Sequence, residues 1–541
     1  MLVRSSATTL NRLREPALVV LIALVVALSI GYELAVQLTA RVAQSASPYA
    51  PPLMLLGLAA VVGIAVLFRD LRYADLWKPL HILMRGSAIV LLVQIAFDAL
   101  YPAALFSNLF IGISVEDRVL VGAALVAGAA AVVRPSACLP MLLAYLWFRN
   151  HFPTPYQLAI NQLDFRTLLD FGLFSITAML FWRLLEAIGA RSASPLSAVA
   201  LSNRAALQFQ KLVWGICVGV HLGNYFHSGL AKLKVGGADP FFWIFHNPTQ
   251  QALAIGMFRE NTPLAGWPAL VGAGDVLLTT FAVPLNIFVF FIQIAAPLSV
   301  VGRRVMILFT LAFDLMHLAI YASLGAFFFF WIALNIIILI SLKTMPAAEF
   351  TPPVKLVAFL TAIIGYMSFS TATLGWLDGS KIVLEFFEAQ RSDGTSVAVP
   401  PAFFGPVSYH LAHGELWIPP GHFELRRGGN VRDRSQWYDA LTCGPHVVAG
   451  AQETRQSLAS IDRLMRDVDG FYRRHLWVKT WNLEYGYPHH APSNPAFFHA
   501  FDATPMSAIT GYSYVVKSAC PSVEDGRLMS NVRIETRFPL P

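Results

Sequence analysis

The chain has 541 residues, of which 56% are hydrophobic and only 13% are charged, and its mean hydropathy is +0.58. This balance excludes an ordinary soluble protein and indicates a large membrane-embedded helical bundle that contacts the lipid bilayer. The net charge of +7 comes from basic residues scattered between apolar segments. It therefore reflects membrane topology, and we do not predict nucleic acid as a partner.

The N-terminus carries Arg4, Arg12 and Arg14 before an apolar run from Ala17 to about Leu38. This run is too long for the hydrophobic region of a signal peptide, so it predicts a first membrane span. Further apolar segments bring the expected number of spans to about ten, at 52–68, 81–99, 119–148, 169–188, 211–231, 284–302, 304–322, 325–342 and 354–374. The segment 119–148 contains Arg134-Pro135 and is either one long helix or two short ones.

Lysine and arginine in the short loops predict the orientation, because cytoplasmic loops carry an excess of them. The loops expected in the cytoplasm hold the N-terminal arginines, Arg69, Arg72 and Lys78, the pair Arg303-Arg304, and Lys343 with Lys355. The N-terminus is then cytoplasmic, and everything after residue 375 lies outside. Keeping Arg191, Arg204 and Lys211 inside requires 119–148 to cross twice or another segment to re-enter. High Ala, Val and Arg usage with short loops is typical of a bacterial inner or plasma membrane protein.

The segment Lys211–Lys234 has two contrasting faces. Three glycines four residues apart, Gly215, Gly219 and Gly223, form a doubled GxxxG motif that allows a neighbouring backbone to approach closely. The opposite side carries His221, Tyr225, Ser228 and Lys232, with Asn224 beside them. The glycine face therefore predicts close packing against another helix. The polar face is expected to point toward polar groups inside the bundle.

Ionisable groups within a span cost several kcal/mol when they face lipid, on the order of 3 kcal/mol for a lysine at the helix centre. Such groups normally face a bundle interior or a wet cavity, which makes His221, Tyr225 and Lys232 candidates for function. Lys232 has an alternative interpretation, as an interfacial lysine whose long side chain reaches the headgroups.

From Gly375 onward the apolar runs stop, and charged residues, prolines and short alternating stretches appear. We predict strands at Lys381–Phe387, Ser513–Lys517 and Asn531–Phe538 and an amphipathic helix at Thr454–His475. The fold class is therefore an α-helical polytopic membrane bundle, residues 1–375, with an extracytoplasmic, sheet-rich α+β soluble domain, residues 376–541.

The four cysteines form no CxxC pair and show no zinc spacing. In an extracytoplasmic domain, Cys443 and Cys520 are natural disulfide partners. A histidine-rich stretch could supply metal ligands, but its prolines interrupt any helical spacing, and a second pair has no accompanying acid. We therefore predict no metal at these residues, which are His489, His490, His499 and Asp502 in the stretch and His410 and His413 in the pair.

Two short stretches resemble a known family. Tyr225–Leu233 (YFHSGLAKL) is similar to the YF-x-[AS]-G-x-x-K-L signature of the HTTM proteins, the superfamily that includes the vitamin K-dependent γ-glutamyl carboxylases. Phe313–His317 (FDLMH), followed by Leu324–Phe327 (LGAF), resembles that family's histidine-bearing helix and its LGxF turn. The order and separation of the two stretches fit, and so does a soluble C-terminal domain on the outer side.

The resemblance implies that Lys232 acts as a base toward reduced vitamin K or another lipid quinol. In the carboxylases the quinol and oxygen then yield a strong base that deprotonates a glutamate side chain, to which carbon dioxide adds. An ammonium group in low-dielectric surroundings gives up its proton more readily, leaving the neutral amine that a general base must be.

The resemblance also singles out His317, which shares a helix face with Asp314 and Tyr321. Asp314 would orient the imidazole or help to hold its proton. The alternative is a buried polar pair that ties two helices together.

Two hypotheses follow for function. The first is a membrane-embedded, carboxylase-like enzyme that uses a lipid quinol and a peptide or protein substrate, with Lys232 as base and His317 in support. The second is a noncatalytic membrane protein for binding, export or immunity toward a peptide or lipid, with recognition by residues 376–541. The scaffold alone does not decide between them.

Overall fold

A computed structural model describes residues 14–45, 47–100, 114–152, 165–189, 203–235, 237–371, 383–407, 416, 419, 422, 457–475 and 493–540. The structure is 74% helical. In chain order the described helices before the C-terminal sheet are α1 (Arg14–Gln44), α2 (Ala50–Leu67), α3 (Lys78–Leu100), α4 (Val115–Ala131), α5 (Cys138–His151), α6 (Arg166–Gly189), α7 (Asn203–Val235), α8 (Phe242–His246), α9 (Ala252–Phe258), α10 (Pro268–Thr280), α11 (Ala282–Ile294), α12 (Arg303–Leu324), α13 (Phe329–Thr344) and α14 (Pro352–Ile364).

Six of these helices are long and apolar enough to cross a membrane, counted over the described residues. They are α1, α2, α3, α6, α7 and α12. Helices α10 and α11 pass the same test as a pair, although they meet at an angle of 73°. Helices α13 and α14 are shorter but also apolar. This set fits a multi-pass membrane protein.

The segment 119–148 forms two helices, α4 and α5, separated by a short 3₁₀ turn at Pro135–Ala137. Proline disfavours helical geometry at the residue before it, and Arg134 is extended, with φ −123° and ψ 115°. The Tyr73 hydroxyl donates to the Ala131 carbonyl at 2.7 Å, which holds the turn against the loop between α2 and α3. Of the two sequence alternatives, the pair of short helices is the observed one.

The predicted span at 284–302 needs correction. Helix α11 ends at Ile294, and a 3₁₀ segment, Ala296–Val301, follows it. The apolar stretch instead continues backward, through the bend, into α10. Thr279-Thr280 precede the bend and Pro284 lies in the first turn of α11, where proline is tolerated, so the sequence does mark this break, although the prediction began a span at 284 without it.

The glycine face of α7 packs against α14, as predicted. A Cβ atom at Gly215 or Gly223 would lie 3.1 Å from a carbonyl oxygen of α14, and one at Gly219 would lie 2.6 Å from the Ala358 oxygen. These distances leave no room for larger side chains without movement of a backbone. The small residues therefore set how closely the two helices approach.

The C-terminal region contains a four-stranded antiparallel sheet in the order β2-β1-β3-β4. Its strands are β1 (Val383–Arg391), β2 (Ser396–Val399), β3 (Ile509–Glu524) and β4 (Arg527–Leu540), and its described helices are α15 (Leu458–Arg474) and α16 (Pro495–Asp502). The described parts of the three predicted strands and of the predicted helix are confirmed, while residues 381–382 and 454–456 lie outside the described residues. The ring of Phe387 in the sheet contacts Tyr514 and Phe404. The neighbouring Phe403 contacts Phe404 and stacks on Tyr472, so these rings join the sheet to α15.

The sheet contacts one end of the helical bundle. The Asn494 side chain donates to the Thr262 carbonyl at 2.7 Å. At the β3–β4 turn Gly526 has φ +71°, and a Cβ there would lie 2.2 Å from the Pro268 oxygen. Next to this contact, burial raises the pKa of Glu260 to about 7; nearby Glu388 also raises it, while Lys517 opposes the shift. The junction is therefore close-packed and contains a carboxyl group that titrates near neutrality.

Candidate site within the helical bundle

Asn335 of α13 joins two other helices through its amide. Its Oδ1 lies 2.6 Å from His221 Nε2, and its Nδ2 donates to Asp314 Oδ1 at 2.7 Å and to Tyr225 Oη at 3.2 Å. Because the two acceptors fix which end of the amide is the NH₂ group, the Oδ1 atom must accept from His221. The imidazole therefore carries its proton on Nε2.

The other ring nitrogen of His221, Nδ1, is buried and has no hydrogen-bond partner among the described residues. With the proton on Nε2, Nδ1 is an acceptor with an available lone pair. A buried acceptor without a donor is costly, by about 1–3 kcal/mol. A donor within hydrogen-bond distance of this atom would remove that cost.

Aromatic rings enclose these polar groups. The Tyr225 ring stacks on Phe313 with centroids 3.6 Å apart, and the His317 ring stacks on Phe328 at 4.9 Å. Trp331 lies 5.4 Å from Tyr225, 6.0 Å from His221 and 5.7 Å from His317 between ring centroids. All of these ring-bearing residues are buried, whereas Asp314 is half-buried. We call His221, Tyr225, Asp314, His317, Trp331 and Asn335 the Asn335 cluster.

Four of the five residues singled out from the sequence, His221, Tyr225, Asp314 and His317, belong to the Asn335 cluster. Asp314 accepts its hydrogen bond from Asn335, whereas an orienting contact from Asp314 to His317 stays a prediction. Asn335 itself was missed. Its signal was a lone amide inside the apolar run FFWIALNIIILI, which is costly in a span unless it is hydrogen-bonded.

Lys232, the fifth candidate, lies two helical turns beyond Tyr225 on α7, about 10 Å further along the axis. It is only 4% exposed, whereas Lys234 is exposed. Its Nζ lies 5.0 Å from the ring centroid of Trp243 on α8. An ammonium over an indole face is stabilised by about 1–2 kcal/mol when it is shielded from water. The lysine is therefore buried against an aromatic ring, toward the end of the bundle that meets the sheet.

A second polar group within the bundle was not anticipated. Arg166 bridges Glu33 of α1 at 2.7 Å and Asp170 at 2.9 Å, and the Tyr32 hydroxyl donates to Asp170 at 2.6 Å. The i, i+4 spacing of Arg166 and Asp170 was readable, but the partner Glu33 is 133 residues away. At the next residue of α6, Thr167 accepts a hydrogen bond from Asn224, so α6 is also bonded to α7 here.

The cysteines of the chain and the histidines of its C-terminal region are described only in part. Cys138 and Cys217 are free and buried, and Cys520 is disulfide-bonded. Cys443 lies outside the described residues, as do His410, His413, His489 and His490. Within the described ranges no three or more His, Cys, Asp or Glu side chains are grouped so that they could hold a metal ion.

Comparisons of the chain with protein-family models, curated proteins and solved structures gave no match. The resemblance to the HTTM proteins therefore depends on the stretches Tyr225–Leu233 and Phe313–Phe327 alone. Both stretches contribute to the same region of the bundle, since Tyr225 stacks on Phe313 and contacts His317.

Proposed function

We propose that this chain is an integral membrane enzyme similar to the vitamin K-dependent carboxylases, which uses reduced vitamin K or another lipid quinol inside the helical bundle. One observation carries the proposal. A lysine and two histidines are buried on α7 and α12, with a half-buried aspartate beside them, in a part of the bundle where ionisable groups are expensive and persist chiefly for function.

The Asn335 cluster supplies aromatic surface for a flat quinol ring, with Trp331 and Phe328 beside His317. His221 lies eleven residues, about 16 Å, before Lys232 along α7, which is too far for both side chains to bind one quinol ring. When bound, the quinol supplies the reducing equivalents that, with oxygen, generate a base strong enough to deprotonate a glutamate γ-carbon.

The side chains of the chain itself handle protons. Lys232 as the neutral amine accepts a hydroxyl proton at Nζ, and the Trp243 ring beneath it stabilises the resulting ammonium. Asn335 holds the His221 tautomer that presents Nδ1 as acceptor. His317, fixed between Phe328 and Trp331, acts in support of Lys232.

The contacts between loops support an orientation for the bundle. Lys211 pairs with Glu349, Arg183 with Asp75, and Lys355 donates to the Val301 carbonyl, so the basic loops share one end. The sheet contacts the bundle near Thr262, at the end where α7 finishes. We therefore place the basic end in the cytoplasm and the sheet outside. Two crossings by α4 and α5 fit this arrangement, and the disulfide at Cys520 fits an oxidising compartment.

The test is quinol-dependent oxygen consumption, together with epoxide detection by mass spectrometry, in membranes that contain the full-length protein. Reduced vitamin K is supplied, and membranes without the protein serve as the control. We expect oxygen uptake and epoxide only where the protein is present. Absence of both, with the protein shown to be folded and inserted, would refute the proposal.

A second function is favoured by one observation. Asn335 satisfies His221, Tyr225 and Asp314 in the manner of a structural tie between helices. The chain would then be a noncatalytic membrane protein that binds, exports or protects against a peptide or lipid, with its outer domain making the contacts. In that case Lys232 is dispensable, and loss of residues 376–541 removes the function.

A further inference from the structure

A basic pocket lies at the opposite end of the bundle from the sheet. A cavity of about 490 Å³ opens where the loop between α2 and α3 meets the turn between α4 and α5. Four arginines line it, and a single aspartate, Asp70, is the one acid among its lining residues. The arginines are Arg69, Arg72, Arg85 and Arg134.

These four arginines differ from other basic residues at the same end. Arg183 and Lys211 are paired with carboxylates of Asp75 and Glu349. The pocket arginines are all exposed, and none of them has an ion-pair partner in the part of the chain that the structure describes. Their positive charge is therefore left for a ligand to neutralise.

Hydrogen bonds and ring contacts fix the residues around the pocket. The Tyr73 hydroxyl is bound to the Ala131 carbonyl, and the Tyr73 ring lies 5.8 Å from the Arg85 guanidinium and stacks on His81. Arg134 begins the 3₁₀ turn between α4 and α5 in an extended conformation. The arginines thus project from fixed backbone positions, which reduces the entropy lost when an anion binds.

Exposed apolar residues border the pocket. Val133, one of the lining residues, is 70% exposed, and Leu67, two residues before Arg69 at the end of α2, is 74% exposed. In a membrane protein such residues face the acyl chains. A ligand with an anionic head and an apolar tail would cover both surfaces at once, whereas free phosphate would cover only the arginines.

We propose that this pocket binds the phosphodiester headgroup of an anionic phospholipid, with phosphatidylglycerol as the simplest example. Guanidinium groups bind phosphate oxygens through paired, charge-assisted hydrogen bonds. Basic pockets between membrane helices on the cytoplasmic side are suited to such headgroups. The site is separate from the Asn335 cluster and does not depend on the proposed enzyme activity.

The test uses the full-length protein, purified in detergent and titrated with phosphatidylglycerol or phosphatidylcholine, with bound lipid counted by native mass spectrometry. We expect phosphatidylglycerol to bind at least tenfold more tightly. The double variant Arg85→Gln/Arg134→Gln should lose affinity on the order of thirtyfold, from about 1 kcal/mol per charge. Arg304→Gln removes an exposed arginine outside the pocket and should leave binding unchanged.

A variant that should bind more tightly is also needed, because loss of binding alone could result from misfolding. Asp70→Asn removes the acid of the pocket and should tighten phosphatidylglycerol binding about fivefold. Equal affinity for the two lipids, or an equal loss in Arg304→Gln, would overturn the proposal. Inorganic phosphate that displaces phosphatidylglycerol at matched concentration would show that the pocket serves a free anion and would overturn the lipid assignment.

Discussion

Replacing Asn335 with leucine tests whether its amide organises the candidate site. Among the described residues Asn335 is the hydrogen-bond partner shared by His221, Tyr225 and Asp314. Side-chain hydrogen bonds between membrane helices contribute about 0.6 kcal/mol on average, so three contribute about 2 kcal/mol. The Asp314 carboxylate left without its donor adds about 1–3 kcal/mol. We therefore expect Asn335→Leu to lower the unfolding free energy by about 3–5 kcal/mol.

The measurement is reversible unfolding in mixed micelles, followed by circular dichroism as denaturing detergent is added. The matched control is Ile336→Leu, one residue along α13, where the side chain is about half exposed. It should change the unfolding free energy by less than about 0.5 kcal/mol. Adding Asp314→Leu to the Asn335→Leu variant should restore part of the loss, because the stranded carboxylate is removed.

Two results would refute this reasoning. Asn335→Leu could prove as stable as the wild-type protein, which would mean that the amide bonds contribute nothing. Alternatively, the effects of the Asp314 and Asn335 variants could simply add, which would mean that the two side chains act independently. In either case the Asn335 cluster would not be a coupled unit.

Further predictions concern helix packing and the junction with the sheet. Gly219→Ala should lower the unfolding free energy by about 1–3 kcal/mol, because its Cβ would lie 2.6 Å from the Ala358 oxygen. As a control, Gly63→Ala should not destabilise the protein, because a Cβ at Gly63 meets nothing within 4 Å. Thermal unfolding of both variants checks this. Glu260 has a pKa of about 7 in the folded protein against an ordinary 4.5, so between these values the folded state keeps a proton that the unfolded chain loses. Stability should therefore fall by at most about 3 kcal/mol as the pH rises through this window and then level off, and Glu260→Gln should abolish the fall in a pH series of unfolding curves.

Local patterns predicted much of the fold. The glycine spacing of α7 predicted a close helix contact, though not that α14 is the partner, and alternation predicted three strands of the sheet, because both signals arise from side-chain periodicity within one element. Arg134-Pro135 showed where the segment 119–148 would divide if it divided, but the sequence left open whether it was one long helix or two short ones. The bend between α10 and α11 has weaker marks, Thr279-Thr280 before it and Pro284 after it, which the prediction did not use.

The candidate site was predicted only in part, for a physical reason. His221, Tyr225 and Asp314 were visible as polar residues at helical spacing, but the bonds that join them run through Asn335, which is 114 residues from His221. Glu33 and Arg166 likewise meet across a long separation. Such pairings depend on how helices are arranged in three dimensions, and one sequence does not encode that arrangement in any local pattern.

The central claim is that a buried lysine acts as a base within the bundle. The most direct measurement compares quinol-dependent epoxide formation by the wild-type protein, Lys232→Ala and Lys234→Ala in membranes, with the amount of folded protein matched. Both variants remove one lysine from the same end of α7, but only Lys232 is buried against Trp243. The account predicts that Lys232→Ala loses epoxide formation and that Lys234→Ala keeps it. Equal turnover by Lys232→Ala and the wild-type protein would contradict it.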